Sequence, residues 1–279
     1  MPPVLSGYEL VTADHSCVVF EGESEFTTAV VGFLSEGLTR GEQVGYFGWG
    51  NRDELRRRLR GLGDVDELED GQGALLVTSL DEHYRRDRVP DPATRLAFWS
   101  DATDRSLAAG FMALRVVTET TPWLNLAEQR DRFLRSEGLL DRYAHEHPLT
   151  LMCACDGSIL DRDAVAEIAS IHASTLGVSS PFHLHAAQGA DFALRGETDT
   201  FTAPVLARVL ACLPRVDATP ELVIDASGLD FIEHRSLLTL EDLSGRLGLT
   251  ALILRDAPAP TGQLIELLGL HLVRVEGSP

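Results

Sequence analysis

A chain of 279 residues with 44% hydrophobic content and mean hydropathy near zero has the material for one large or two ordinary globular domains, which excludes a disordered or membrane-embedded class. A formal net charge of −19 argues against a nucleic-acid or anionic-membrane surface, because phosphates call for clustered cations. All 24 basic residues are arginine, so there is no lysine for a Walker A loop, a Schiff base or a kinase-type phosphate contact.

The apolar pattern predicts a first strand over His15 to Phe20 and a helix over Phe26 to Leu38, with Gly37 and Gly41 at its exit. Val44 to Trp49 reads as a strand, followed by a charged helix over Asp53 to Leu62. Ala74 to Thr78 is a strand, a polar loop runs to Pro92, and Ala93 to Ala109 is a helix. Met112 to Val117 is a strand ending in Thr118-Glu119-Thr120; a helix then covers Leu126 to His145. Leu149 to Cys155 is a strand and Ala164 to Ser174 a helix. Short apolar strands alternating with helices predict a parallel sheet covered on both faces.

Leu176 to Pro181 breaks this pattern and reads as a linker, dividing the chain into residues 1–178 and 179–279. Beyond it, Phe182 to Ala187 and Asp191 to Leu194 read as paired strands joined by a turn at Gln188-Gly189-Ala190. A helix over Thr202 to Leu213 tolerates Pro204 in its first turn. Glu221 to Asp225 is a buried strand with a turn at Ser227-Gly228, and Arg235 to Leu247 a helix. Thr250 to Arg255, Thr261 to Leu268 and His271 to Val275 read as strand, helix and strand.

No apolar run reaches the roughly 18 residues that cross a bilayer, and Met-Pro-Pro-Val-Leu lacks the features of a signal peptide. The expectation is a cytoplasmic protein whose four cysteines, Cys17, Cys153, Cys155 and Cys212, are free thiols. Cys153 and Cys155 would face the same way on a strand, but a lone Cys-x-Cys reads as two buried small residues rather than metal ligands. Arg56-Arg57-Arg58 reads as a solvated helix face.

Three motifs in order make the second unit resemble a STAS domain, the α/β fold of anti-sigma-factor antagonists. They are Gly196-Glu197-Thr198-Asp199, the run from Leu222 through Asp225 to Ile232, and Leu264 to Leu270. The resemblance implies that the loop after the central strand, at the start of the next helix, docks a serine-kinase-type anti-sigma factor. In the family a serine there is phosphorylated and the added charge breaks the complex. Here the loop reads Glu233-His234-Arg235-Ser236-Leu237, with His234 at the acceptor position and Ser236 where a glycine would stand. The favoured reading is a docking face without its serine switch, marked by Asp199, Asp225, Glu233, His234, Arg235 and Ser236. Modification of Ser236 or Thr239 would displace the acceptor by two residues or more; a protonation switch on His234 is opposed by the positive helix start.

The first unit resembles the MEDS sensory domain, a degenerate relative of RecA-like ATPases. The marks are His15-Ser16-Cys17, the stretch from Phe33 to Glu42, and His147-Pro148-Leu149-Thr150-Leu151-Met152-Cys153. The fold class expected is therefore a RecA-like parallel-sheet α/β sandwich without a P-loop, followed by a STAS-type α/β domain.

The loop that would cradle phosphate reads Glu21-Gly22-Glu23-Ser24-Glu25, which repels a triphosphate. His15, Glu119 and Trp123 are the candidate lining of a small-molecule pocket; the competing readings are a core histidine and a strand-end carboxylate. His145 and His147 read as helix-end residues, and His183 with His185 as an incomplete pair of imidazoles. No catalytic grouping, metal site or cofactor is expected. The function expected is regulatory: a sensory unit coupled to an interaction module for a signalling protein, not an enzyme. The rivals are a diverged nucleotide-binding ATPase and a metal or redox sensor using Cys153, Cys155 and the histidines.

Overall fold

The computed structural model describes residues 14–71, 73–215 and 219–277. The first half alternates β1 (His15–Phe20), α1 (Glu23–Thr39), β2 (Gln43–Gly48), α2 (Arg52–Arg58), β3 (Leu75–Ser79), α3 (Pro92–Ala108), β4 (Leu114–Glu119), α4 (Thr121–Leu124), α5 (Arg130–Glu146), β5 (Leu149–Asp156), α6 (Arg162–Ser170) and β6 (Ser174–Leu176). Their strands form one parallel sheet in the order β3-β2-β4-β5-β1-β6.

Local chemistry sets several helix starts. Asn51 and Glu54 make a reciprocal capping box at α2, and the side chains of Asp91 and Asp161 accept backbone N–H groups at the starts of α3 and α6. Helices cover both faces of the sheet. Phe26, Val30 and Leu34 of α1 and Leu55 of α2 pack on Val18, Tyr46, Val117 and Met152. On the other face, Trp99 of α3, Phe133 and Leu140 of α5 and Ile168 of α6 share a core with Cys17, Val116, Leu151 and Cys153. With both faces dry, the strands are buried almost throughout.

The second half is β7 (Phe182–Ala187), β8 (Ala190–Thr198), α7 (Ala203–Cys212), β9 (Glu221–Ile232), α8 (His234–Arg246), β10 (Ala251–Arg255), α9 (Pro260–Leu268) and β11 (Val273–Glu276). The sheet order is β11-β10-β9-β8-β7, with β7 and β8 an antiparallel hairpin and the other pairs parallel. The chain is thus a mixed α/β protein with a six-stranded parallel sheet followed by a second, mixed sheet. Helices α5 and α6 lie between them. Phe133, Leu140 and Ile168 belong to the same continuous core as Phe182 and Leu184 of β7 and Leu206 and Leu210 of α7. Among the described residues, no helix is long and apolar enough to cross a membrane.

Several elements depart from the sequence-based expectation, among them β8, which runs Ala190–Thr198 rather than Asp191 to Leu194, and α2, which ends at Arg58 rather than Leu62. The helix expected over Ala164 to Ser174 ends at Ser170, and Ser174–Leu176 instead adds a sixth strand beside β1. Three residues give too short an alternation to announce it. The turn expected at Ser227-Gly228 lies inside β9, which continues to Ile232 against β8. Arg195 lies across Gly228, where a Cβ would meet that side chain at 2.8 Å. β4 begins at Leu114 rather than Met112, and α5 at Arg130 rather than Leu126.

Candidate functional site

At the carboxyl ends of the first sheet's strands, a cavity of about 260 Å³ is lined by Phe20, Trp49, Arg58, Glu119, Thr121 and Asp156, among others. Such a position is where open α/β sheets place ligands. Arg58 donates to Glu119 Oε1 at 2.6 Å and to the Tyr46 hydroxyl at 3.1 Å, and Tyr46 itself donates to Glu119. Burial raises the pKa of the Glu119 carboxyl, against the lowering pull of Tyr46 and Arg58. Trp49 Nε1–H holds the Glu119 carbonyl at 3.0 Å, and Arg86 lies over the Trp49 ring at 5.2 Å. Glu23, the first residue of α1, stands at this rim, 3.9 Å from Arg58.

The expected trio does not assemble. His15 is level with Leu151 and hence with Val116, so Glu119 lies three residues farther along and two strands across. Strand alternation also turns them apart. His15 points with Cys17 and Val19 to the α3–α5–α6 face, and Glu119 sits with Tyr46 on the α1–α2 side. His15 stands at the amino end of β1, away from the carboxyl-end crevice. Trp123 is buried; its Nε1–H donates to the Arg85 carbonyl at 3.0 Å. Only Glu119 of the three lines the crevice.

His15 instead joins a buried polar cluster. Its Nε2 lies 3.1 Å from His172 Nε2, 3.6 Å from Cys153 Sγ and 3.3 Å from Glu137 Oε2. Cys153 Sγ is 3.0 Å and His172 Nε2 3.5 Å from the same Glu137 oxygen. One ligand atom from each of these four residues lies within 4.8 Å of the other three, and all four side chains are buried. They come from β1, α5, β5 and the turn after α6.

Each ring turns its other nitrogen outward. His172 Nδ1–H donates to the Ile168 carbonyl at 2.7 Å, and His15 Nδ1 faces Asp141 Oδ1 at 3.3 Å. Arg95 pairs with the remaining Glu137 oxygen and lies over the Trp123 and Phe133 rings. Burial disfavours charge on His15, but Asp141 and Glu137 outweigh it and push its pKa up to about 9. Burial works against the Glu137 carboxylate too, yet Arg95, His15 and His172 hold its pKa well below the usual range. Burial and then Glu137 push the Cys153 thiol well up. Burial and the neighbouring His15 lower the pKa of His172.

Glu137, Asp141 and His172 escaped the sequence reading, although a signal existed for two of them. Phe133, Glu137, Leu140, Asp141 and Ala144 follow one helical stripe, and two carboxylates on a core-facing stripe need a buried partner. Cys155 stays apart from the cluster, 3.1 Å from Thr120 Oγ1.

In the second unit the loop residues do converge. Asp199 accepts the backbone N–H groups of Phe201 and Thr202, both at 2.9 Å, ahead of α7. Glu233, preceding α8, accepts the amide and hydroxyl of Thr200 at 2.6 and 2.7 Å, which staples the two helix starts together. His234 and Arg235 are exposed; Arg235 lines a groove of about 690 Å³ with Arg135, Arg208 and Arg246. Ser236 is fully buried and donates to the Asp199 carbonyl at 3.2 Å. Asp225 lies on β9, away from the helix starts, and accepts Ser227 N–H at 3.0 Å. Phe201 and Phe231, 87% and 50% exposed, lie near the loop.

The family model described as MEDS, methanogen/methylotroph, DcmR sensory domain, matches residues 14–173. Among curated proteins none matches the chain.

Proposed function

The chain belongs to the MEDS family, which suggests a signalling role, and from that premise we propose that it is a two-unit regulatory protein. In this reading the first unit senses a ligand or partner, and the second is a STAS-like module that docks a signalling protein. The partner favoured is an ATP-binding, serine-kinase-type anti-sigma factor. No step calls for chemistry by this chain, and a small-molecule stimulus would have the Glu119 crevice as its seat.

The observation that carries the docking proposal is the surface around the start of α8. Phe201, next to Thr200, and Phe231, two residues before Glu233, stand exposed near a loop fixed by the Glu233–Thr200 hydrogen bonds, which also carries exposed His234 and Arg235. Large exposed aromatic side chains on a rigid frame suit protein docking. The order of the second unit, a hairpin followed by alternating helices and parallel strands, agrees with a STAS-like module. Burial of Ser236 supports a face that serine phosphorylation does not gate, since a kinase needs the hydroxyl in reach.

Purified full-length protein and the host's serine-kinase-type anti-sigma factors provide the test, with and without ATP and with phosphate mapped by mass spectrometry. Tight binding that ATP does not dissolve, with residues 233–237 unmodified, is the expected result. Phosphate on Ser236 would replace the ungated reading with a displaced switch. Absence of binding would overturn the docking proposal.

A further inference from the structure

We propose that His15, Glu137, Cys153 and His172 form a divalent transition-metal site, closed by four protein ligands and suited to zinc. Five of the six distances among the ligand atoms are 3.0, 3.1, 3.3, 3.5 and 3.6 Å. A tetrahedral ion with bonds of about 2.0–2.3 Å requires ligand separations of about 3.3–3.8 Å. These five need adjustments of only a few tenths of an ångström to meet that geometry, and the sixth, between Cys153 Sγ and His172 Nε2, lies within 4.8 Å.

The outer shell fits as well. Metal-bound imidazoles hold their second nitrogen against a carboxylate or a carbonyl. Here Asp141 faces His15 Nδ1, and the Ile168 carbonyl accepts from His172 Nδ1, so both Nε2 atoms point inward. The charges close too. A thiolate, a carboxylate and two neutral imidazoles neutralise a divalent ion, while Arg95 and Asp141 offset each other around it. A buried centre without net charge avoids the desolvation penalty of an uncompensated ion. Loading is a balanced exchange: M²⁺ enters, the Cys153 thiol proton and any imidazole proton leave to water, and no electron moves. One thiolate with two imidazoles selects zinc-like ions over magnesium or calcium. Four protein ligands leave no open position for substrate, which makes the centre structural or regulatory.

The site also touches the second unit. The second oxygen of Asp141 accepts the Ala186 amide of β7, and His183 Nδ1–H donates to the His172 carbonyl at 2.7 Å. Occupancy therefore acts on two hydrogen bonds that join the units, independently of which partner α8 docks.

The test uses untagged full-length protein, stripped with a chelator and titrated with Co²⁺ and Zn²⁺. One equivalent of Co²⁺ is expected to give strong tetrahedral d–d bands and a thiolate-to-cobalt charge-transfer band, both displaced by Zn²⁺. Cys153→Ser abolishes the charge-transfer band, whereas Cys155→Ser retains it; His172→Gln weakens binding beyond the ~10–100-fold cost of losing an outer-shell partner. Should Cys153→Ser fail to fold, X-ray absorption of the zinc-loaded wild type decides instead, with one sulfur at about 2.3 Å and three lighter ligands expected. No stoichiometric uptake by the folded protein, a charge-transfer band that survives Cys153→Ser, or an absorption spectrum without sulfur would each overturn the proposal.

Discussion

Asp141 on α5 accepts the backbone N–H of Ala186 on β7, across the seam between the two sheets, while its other oxygen faces His15 Nδ1 at 3.3 Å. One carboxylate thus supports the buried cluster and the first strand of the second unit. Asp141→Asn keeps the size but loses the charge. It is expected to destabilise the protein by about 1–3 kcal/mol, as for a buried hydrogen bond to a charged group. Chemical denaturation measures the loss; hydrogen exchange should show faster exchange at the Ala186 amide.

Arg95 and Glu137 are a fully buried ion pair, 1% and 0% exposed. In metal-free protein, Arg95→Met leaves Glu137 charged and short of a partner, at an expected cost of about 3–5 kcal/mol. The double variant Arg95→Met/Glu137→Gln should lose less than the two single losses combined, because the second change removes the stranded charge. Urea unfolding of the four proteins completes the cycle.

Glu241 on α8 accepts the amides of His271, Leu272 and Val273 at 2.9–3.1 Å, fixing the entry to β11. Burial raises its pKa, but these amides outweigh burial and leave the carboxyl below its ordinary 4.5. Its contribution is therefore present above pH 4.5 and is lost as pH falls through the lowered folded-state value. Glu241→Gln should be less stable than wild type by ~1–2 kcal/mol at neutral pH. Unfolding curves taken down an acid series should show that gap narrowing below pH 4.5.

Phe201→Ala should leave stability within about 0.5 kcal/mol, since the ring is 87% exposed. Binding of the proposed docking partner should nevertheless fall on the order of 10-fold or more, as for an aromatic anchor. Calorimetric titration measures the affinity, and a thermal melt confirms the intact fold.

Gly177 follows β6 with φ +79°, and a Cβ there would meet the Val19 carbonyl oxygen at 1.9 Å. Gly177→Ala combines positive-φ strain with a backbone clash and should cost about 2 kcal/mol or more. Loss of amide protection at the β1–β6 edge, read by hydrogen exchange, locates the damage.

Alternation and helical spacing carried most of the fold. Cys17, Val116 and Leu151 advertise a covered strand, and the stripe through Phe133 and Leu140 a buried helix face. β6 was illegible because three residues pair by position beside β1, without a pattern of their own. The crevice was half legible: Glu119 ends a strand as its sequence suggests, but His15 begins one. Parallel strands place those ends on opposite edges of a sheet. The buried cluster stayed hidden because Glu137 and His172 are more than thirty positions apart and meet only when α5 and the turn after α6 pack on β1 and β5.

The core that runs unbroken from Phe133 and Ile168 into Leu184 and Leu206 packs the two halves against each other. A swing of one half against the other would have to break this core, so a signal between them would travel as packed helices sliding by about 1–2 Å. Scattering profiles of the resting and stimulated protein would then superimpose. The news would be carried by amide chemical shifts along α5 and β7, as in a stiff beam that transmits load without visibly bending.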